Sequence, residues 1–350
     1  MISNSYYSQE IHGPYELQEI GDLALEEGGT IRGCKLAYAT FGALDADKSN
    51  AILVPTWYSG TNKIIEQVLI GKGRALDPDK YFIIVVNQIG SGLSSSPHNT
   101  PAPAGMANFP RVRIGDDVRA QHRLLTEKFG LTSLALVVGG SMGAQQTYEW
   151  AVRYPEMVKR AAPIAGTAKN TVHDFLFTET LVDAITADPG FNKGFYNSPA
   201  EVREGLLRHA KMWAVMGWST HFFQENRHKA LGFSSLDDFI INFMFAYFAV
   251  MDPNDLLCMA WKWQRGDVSR LTGGDLRAAL RRITARTFVM PMSSDMFFPP
   301  ADCEAEWRLI PDAEFRPIKT IDGHLALFGA DPNAIAQLDK NLGELLATKV

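Results

Sequence analysis

A serine flanked by glycines, in Gly139-Gly140-Ser141-Met142-Gly143, is the feature that most restricts how this chain can fold. An apolar run at residues 134–139 comes directly before it, and a stretch typical of a helix follows at 142–154. So short a turn from strand to helix strains the backbone at the serine, and the glycines on either side let neighbouring backbone pass without clashes. The pattern predicts that Ser141 stands at the edge of a sheet, beside a helix N-terminus that favours developing negative charge.

Short β-rich runs recur through the first half of the chain. Phe82-Ile83-Ile84-Val85-Val86 and Leu134-Ala135-Leu136-Val137-Val138 are continuously apolar, which indicates strands covered on both faces, as in parallel sheets. The predicted strands lie at 34–41, 51–56, 81–87, 134–139, 158–164, 286–292 and 314–320, with a final helix at 333–347.

Residues 169–280 have a different character. Strand-like runs are missing there, and helical stretches rich in Trp, Phe and Met take their place. We therefore predict an α/β fold in which residues 1–168 and 281–350 form a mostly parallel sheet flanked by helices. Residues 169–280 would be a helical cap (lid) over the carboxyl edge of the sheet, where ligands bind in such folds.

Composition excludes several classes of protein. The net charge of −5, with no basic cluster, argues against nucleic-acid binding, and no apolar window is long enough to span a membrane. Three scattered cysteines form neither a disulfide framework nor a metal site, and a cytoplasmic location is expected. Gly90-Ser91-Gly92 lacks the third glycine of a dinucleotide-binding turn, so no cofactor is expected.

A serine hydroxyl needs a base to take its proton, and that base needs an orienting acid. In a strand–serine–helix arrangement of this kind the acid and then the histidine follow the serine along the chain. His324 is the one histidine beyond the resumed strands, and Asp295 ends the strand-like run before it. Asp322 is the rival acid, but it lies two residues from His324 and is expected to cap a turn instead.

The oxyanion of an acyl-transfer intermediate needs two backbone N–H donors. We assign one to Met142, directly after the serine, and the other to Tyr58, in the loop after an earlier strand. Trp57 is the alternative, because the register of that loop cannot be fixed from sequence.

Around these positions the chain resembles the homoserine O-acetyltransferase family of α/β-hydrolase-fold proteins, over roughly residues 15–345. The matching segments are residues 109–114, 116–121, 139–146, 149–155, 251–257, 294–300 and 323–324. The resemblance implies the α/β-hydrolase fold, with nucleophile, acid and base at Ser141, Asp295 and His324.

The chain departs from that family where the amino-acid substrate would bind. Lys211 stands where the family has an arginine, and a lysine cannot form the same two-pronged clamp on a carboxylate. Trp218 replaces a tyrosine, and the oxyanion loop Thr56-Trp57-Tyr58-Ser59-Gly60 is bulkier than its family counterpart. Trp57, Lys211 and Trp218 are therefore the predicted substrate-binding residues.

We predict a cofactor-free serine hydrolase that cleaves an ester, or an amide, of a fairly apolar small molecule. One alternative is an acyl-CoA-dependent O-acyltransferase that uses the same acyl-enzyme, and the other is a non-catalytic ligand-binding protein. The expected partner is the small-molecule substrate, with neither nucleic acid nor membrane. An acyl-CoA donor and a homodimer are left open.

Overall fold

The computed structural model describes residues 1–350, built on one eight-stranded sheet. The strands are β1 Glu16–Ala24, β2 Thr30–Phe41, β3 Ala51–Pro55, β4 Phe82–Val86, β5 Leu136–Gly140, β6 Arg160–Ile164, β7 Arg286–Val289 and β8 Ala313–Phe315. Their order across the sheet is β1-β2-β4-β3-β5-β6-β7-β8. The first two strands run antiparallel to their neighbours, whereas every pairing from β4 to β8 is parallel. The predicted fold class, an α/β-hydrolase fold with a mostly parallel sheet, is confirmed.

The helices divide into two groups by position in the chain. Those outside the segment that joins β6 to β7 are α1 Gln9–His12, α2 Asn62–Leu69, α3 Ile114–Arg123, α4 Met142–Arg153, α13 Pro300–Trp307 and α14 Pro332–Leu346. Between β6 and β7 lie α5 Val172–Thr186, α6 Arg203–Gly217, α7 Thr220–Gln224, α8 Arg227–Ala230, α9 Leu236–Phe239, α10 Ala246–Ala249, α11 Pro253–Gln264 and α12 Leu276–Leu280. No helix is both long and apolar enough to cross a bilayer.

The central strands are buried because helices cover both faces of the sheet. Every residue of β3, β4 and β5 is buried, as their unbroken apolar runs predict. Helices α2 and α14 pack on one face, while α3, α4 and the helices between β6 and β7 belong to the core of the other.

The strand order reverses at β3, which pairs with β4 on one side and β5 on the other. In open α/β sheets ligands bind at this point, because the loops leaving adjacent strands there diverge to opposite faces. The loop after β3 carries Trp57 and Tyr58, and the turn after β5 carries Ser141. The topology therefore places the predicted oxyanion loop next to the predicted nucleophile.

Candidate active site

Ser141 forms a tight strand-to-helix turn between β5 and α4. Its backbone has φ 55° and ψ −122°, a conformation that side-chain-bearing residues rarely adopt. The turn leaves no room beside it: a Cβ on Gly143 would lie 2.6 Å from the Pro55 carbonyl oxygen. The Ser141 N–H is tied to the Ile164 carbonyl at 2.9 Å, while its side chain caps no helix N–H. The hydroxyl is therefore free to face another group.

That group is His324. The Ser141 hydroxyl donates to Nε2 of His324 at 2.9 Å, and Nδ1 of the same ring donates to Oδ2 of Asp295 at 2.7 Å. Because an ionised carboxylate only accepts, Asp295 holds the proton on Nδ1 and leaves Nε2 free to act as the base. The predicted triad residues thus lie in one hydrogen-bonded chain, and all three are buried.

The surroundings of Asp295 fix its orientation. Its second oxygen, Oδ1, accepts the backbone N–H groups of Phe297 at 2.8 Å and Phe298 at 3.0 Å. The Phe297 ring meets the His324 ring edge-on, with centroids 4.9 Å apart, and keeps water from that side of the imidazole. One short segment thus orients the acid and shields the base.

Asp322, the rival acid, makes no hydrogen bond with the imidazole of His324. It is fully buried and accepts hydrogen bonds from the Arg227 guanidinium at 3.3 and 3.4 Å. The expectation that Asp322 caps a turn is wrong, because its side chain accepts no backbone N–H at the start of the short helix Gly323–Phe328. Its carboxylate instead pairs α8 with the loop that carries His324.

The backbone N–H groups of Trp57, Tyr58 and Met142 donate no hydrogen bond within the protein. They are therefore available to an oxyanion, and both loop candidates remain open. The Tyr58 hydroxyl is occupied, since it donates to the Leu256 carbonyl at 3.1 Å and lies 3.3 Å from Nε2 of His209. Burial lowers the pKa of His209 to about 4, so this histidine is neutral near pH 7.

An apolar groove of about 470 Å³ lies beside these loops. Its lining includes Ser59, which follows Tyr58 in the sequence, and Leu325, which follows His324. Twelve of its fourteen lining residues are hydrophobic, and none is charged. The lining residues are Ser59, Ile64, Trp213, Trp218, Leu231, Phe233, Phe243, Met244, Tyr247, Phe248, Leu325, Phe328, Gly329 and Ala330.

The three predicted substrate-binding side chains have different locations. Trp218 lines the groove, stacked on Phe222 with ring centroids 4.1 Å apart. The Trp57 ring packs instead into the apolar core beneath the loop. Lys211 is exposed on α6 and is not brought to the site, because the buried face of that helix carries residues 206, 210, 213 and 217, to which position 211 does not belong.

Most of the groove residues were not predicted from the sequence. Trp213, Tyr247 and Phe248 line it, and all three come from the helices between β6 and β7. Aromatic side chains at helical spacing are equally typical of an ordinary core, so sequence alone did not separate the two. The three-to-four-residue spacing along α6 is the signal that could have identified Trp213 and excluded Lys211.

No group of three or more His, Cys, Asp or Glu side chains is arranged to hold a metal ion, and the three cysteines are free.

Comparison with known proteins places the chain among ester hydrolases. Residues 52–330 match the family described as alpha/beta hydrolase fold. The chain is 65% identical over 345 residues to an ethyl acetate hydrolase of Pseudomonas veronii, with 99% of both chains covered. It superposes on the solved structure of the acetyl esterase MekB with a TM-score of 0.98, at 65% identity over 99% of this chain and 100% of that one. It is also 33% identical to a homoserine O-acetyltransferase of Thermobifida fusca, with 91% of both chains covered.

Proposed function

We propose, from the membership of the chain in the α/β-hydrolase fold family, that it cleaves acetic esters of small apolar alcohols through Ser141, His324 and Asp295. Within that family it is an ester-hydrolysing relative of the homoserine O-acetyltransferases. One observation carries the proposal. The hydrogen-bonded chain from Asp295 through His324 to the Ser141 hydroxyl lies beside a groove with no charged lining.

The mechanism follows from the positions of these groups. His324 takes the Ser141 proton through Nε2 as the hydroxyl oxygen attacks the ester carbonyl, and Asp295 stabilises the imidazolium. The N–H of Met142 and a loop N–H, of Tyr58 or of Trp57, stabilise the oxyanion. His324 then protonates the departing alcohol, leaving an acyl-Ser141. Water attacks that ester with His324 as the base, and the acid is released as Ser141 regains its proton.

Two features support an acetyl group and an apolar alcohol. The rings of Tyr58, Trp213, Trp263 and Phe297 pack against one another near His324, with the Trp213 and Phe297 centroids 5.0 Å apart. We propose that this aromatic cluster limits the length of the acyl chain. The groove, by contrast, offers about 470 Å³ of apolar space for the alcohol part.

Hydrolysis is favoured over transfer from acyl-CoA. Neither Lys nor Arg lines the groove, so it offers no cation for the phosphates of CoA or for the carboxylate of homoserine. The cytoplasmic location and a homodimer stay predictions.

The test uses purified protein with acetate and butyrate esters of ethanol, hexanol and phenol, and with acetyl-CoA plus homoserine. We expect acetates to react faster than butyrates, and KM to fall as the alcohol becomes more apolar. Intact-protein mass spectrometry should show one acetyl group, located on Ser141 after digestion. Faster acetyl transfer to homoserine than ester hydrolysis would instead establish an acyltransferase.

A further inference from the structure

A buried ion pair outside the triad lies behind the oxyanion loop. Lys262, on α11, and Asp117, on α3, are both fully buried and form a direct salt bridge. The two side chains also hold both polar groups of one backbone residue: Asp117 Oδ1 accepts the Ile89 N–H at 2.7 Å, and Lys262 Nζ donates to the Ile89 carbonyl at 2.6 Å. The pair therefore fixes the loop that follows β4.

Gln88 connects this pair to the oxyanion loop. Its Oε1 accepts from Lys262 Nζ at 3.3 Å, its Nε2 donates to the Thr56 carbonyl, and its backbone N–H donates to the Thr56 hydroxyl at 3.3 Å. The Thr56 carbonyl and the Trp57 N–H belong to the same planar peptide and point in opposite directions. Holding that carbonyl therefore sets the orientation of the backbone at the start of the loop, just before the unpaired N–H groups of Trp57 and Tyr58.

Helix α11 holds the loop at a second point. The Leu256 carbonyl, on the same helix as Lys262, accepts the Tyr58 hydroxyl at 3.1 Å. Lys262 contacts neither Ser141 nor His324, so it has no direct chemical role there.

We propose that Lys262 is a positioning residue for the ester hydrolysis, acting through Gln88 to orient the N–H groups of the oxyanion loop. The cation also polarises the Gln88 amide, which strengthens the hydrogen bond from that amide to Thr56. A buried ion pair is poor evidence for a purely stabilising role, since apolar replacements of such pairs are often neutral or stabilising. This inference rests on the proposed function.

The test compares Gln88→Met and Lys262→Met with the parent, and Glu149→Gln serves as the control. Gln88→Met removes the link to Thr56 and leaves the ion pair in place, so it remains informative if the lysine variant fails to fold. Glu149 is buried and paired with Arg153 at 2.7 Å, away from the loop, so its variant measures the general effect of losing a buried ion pair.

The readouts are kcat and KM for an acetate ester, thermal stability, and the affinity of a methyl trifluoromethyl ketone. That ketone forms an oxyanion on Ser141. Removing one oxyanion donor costs about 10²- to 10³-fold in kcat, so a misdirected donor should cost roughly 10- to 100-fold. We expect the Met variants to show that loss in kcat and in ketone affinity, with KM within about threefold of the parent and the control unchanged.

Loss of thermal stability with kcat and ketone affinity both within about threefold of the parent would overturn the inference and leave Lys262 a structural residue. Failure of the proposed function is recognised separately: the parent would then not hydrolyse acetates, or Ser141→Ala would remain active.

Discussion

Replacing Asp295 by Asn tests the triad with the smallest change in shape. In the parent, Oδ1 of Asp295 accepts two backbone N–H groups, from Phe297 and Phe298. An asparagine must keep its oxygen at that position, because the reverse orientation would set an NH₂ against two donors. Losing those two hydrogen bonds costs roughly 2 kcal/mol or more, so the reversed amide would be a minor species, below about 5%.

The consequence falls on His324. When Phe297 and Phe298 hold the amide oxygen, the NH₂ of the asparagine faces Nδ1 of His324. In the parent, Oδ2 of Asp295 occupies that position, 2.7 Å from Nδ1. Nδ1 must then accept, so the ring proton moves to Nε2 and His324 can no longer take the Ser141 proton. We expect kcat to fall by about 10⁴, equal to roughly 5 kcal/mol of transition-state stabilisation.

The assay is kcat and kcat/KM for an acetate ester, with circular dichroism to confirm folding. Asp322→Asn is the matched control: it is the same substitution, also buried, but its carboxylate pairs with Arg227 rather than with His324. We expect its kcat within about tenfold of the parent, since a partly exposed arginine makes a weak pair. The assignment of the acid would be refuted if kcat of Asp295→Asn were within tenfold of the parent value, or if Asp322→Asn were inactive.

Three further outcomes are expected. Ser141→Ala should lower kcat by about 10⁴- to 10⁶-fold and abolish labelling by a fluorophosphonate, which is read by mass spectrometry; near-normal turnover in the folded variant would contradict the nucleophile. Burial raises the pKa of Asp174 to about 8, so between pH ~4 and ~8 the folded protein keeps a proton that the unfolded chain releases, and stability falls as pH rises through that window. In the Asp174→Asn variant the fall in the free energy of unfolding up to pH 8, measured with urea, should be smaller by several kcal/mol. Identical pH profiles of unfolding free energy for the two proteins would contradict this. Acetyl transfer from acetyl-CoA to homoserine should have a kcat/KM about 10⁴-fold or more below that of a homoserine O-acetyltransferase assayed beside it, and comparable values would contradict the reading of the groove.

Much of the core could be predicted because its residues obey strict local rules. The continuous apolar runs at β4 and β5 predict strands buried on both faces, and the glycines around Ser141 predict the tight turn. β1 was not predicted, because most of its residues are exposed and the buried ones follow no regular alternation. It therefore shows neither a continuous apolar run nor an alternation of apolar and polar residues. The strand predicted at 314–320 is shorter than expected, because only Ala313–Phe315 pairs regularly with β7.

The helical segment was harder to predict, since phase decides which side chains face the site. The apolar stretch at residues 239–250 is not one regular α-helix, because the chain there forms the end of α9, the π-helical turn Ile240–Phe245 and α10. A π turn adds a residue to the helical repeat and rotates everything after it, which periodicity counted from the sequence cannot anticipate. The role of Lys262 was equally hidden, because it depends on contacts with Gln88 and Asp117, 174 and 145 residues away in sequence.

Ester hydrolysis and the reaction of the homoserine O-acetyltransferases differ only in the step after acylation of the serine. Hydrolysis and transfer share the same attack on the first carbonyl, so a triad alone cannot separate them; they differ in which nucleophile reaches the acyl-Ser141. Homoserine carries two charges, and taking it out of water requires partners for both. The groove supplies an apolar and largely aromatic lining with no charged side chain, while Lys211 lies exposed on the outer side of α6. Water needs no such partners, and the composition of the groove therefore selects hydrolysis without any change in the triad.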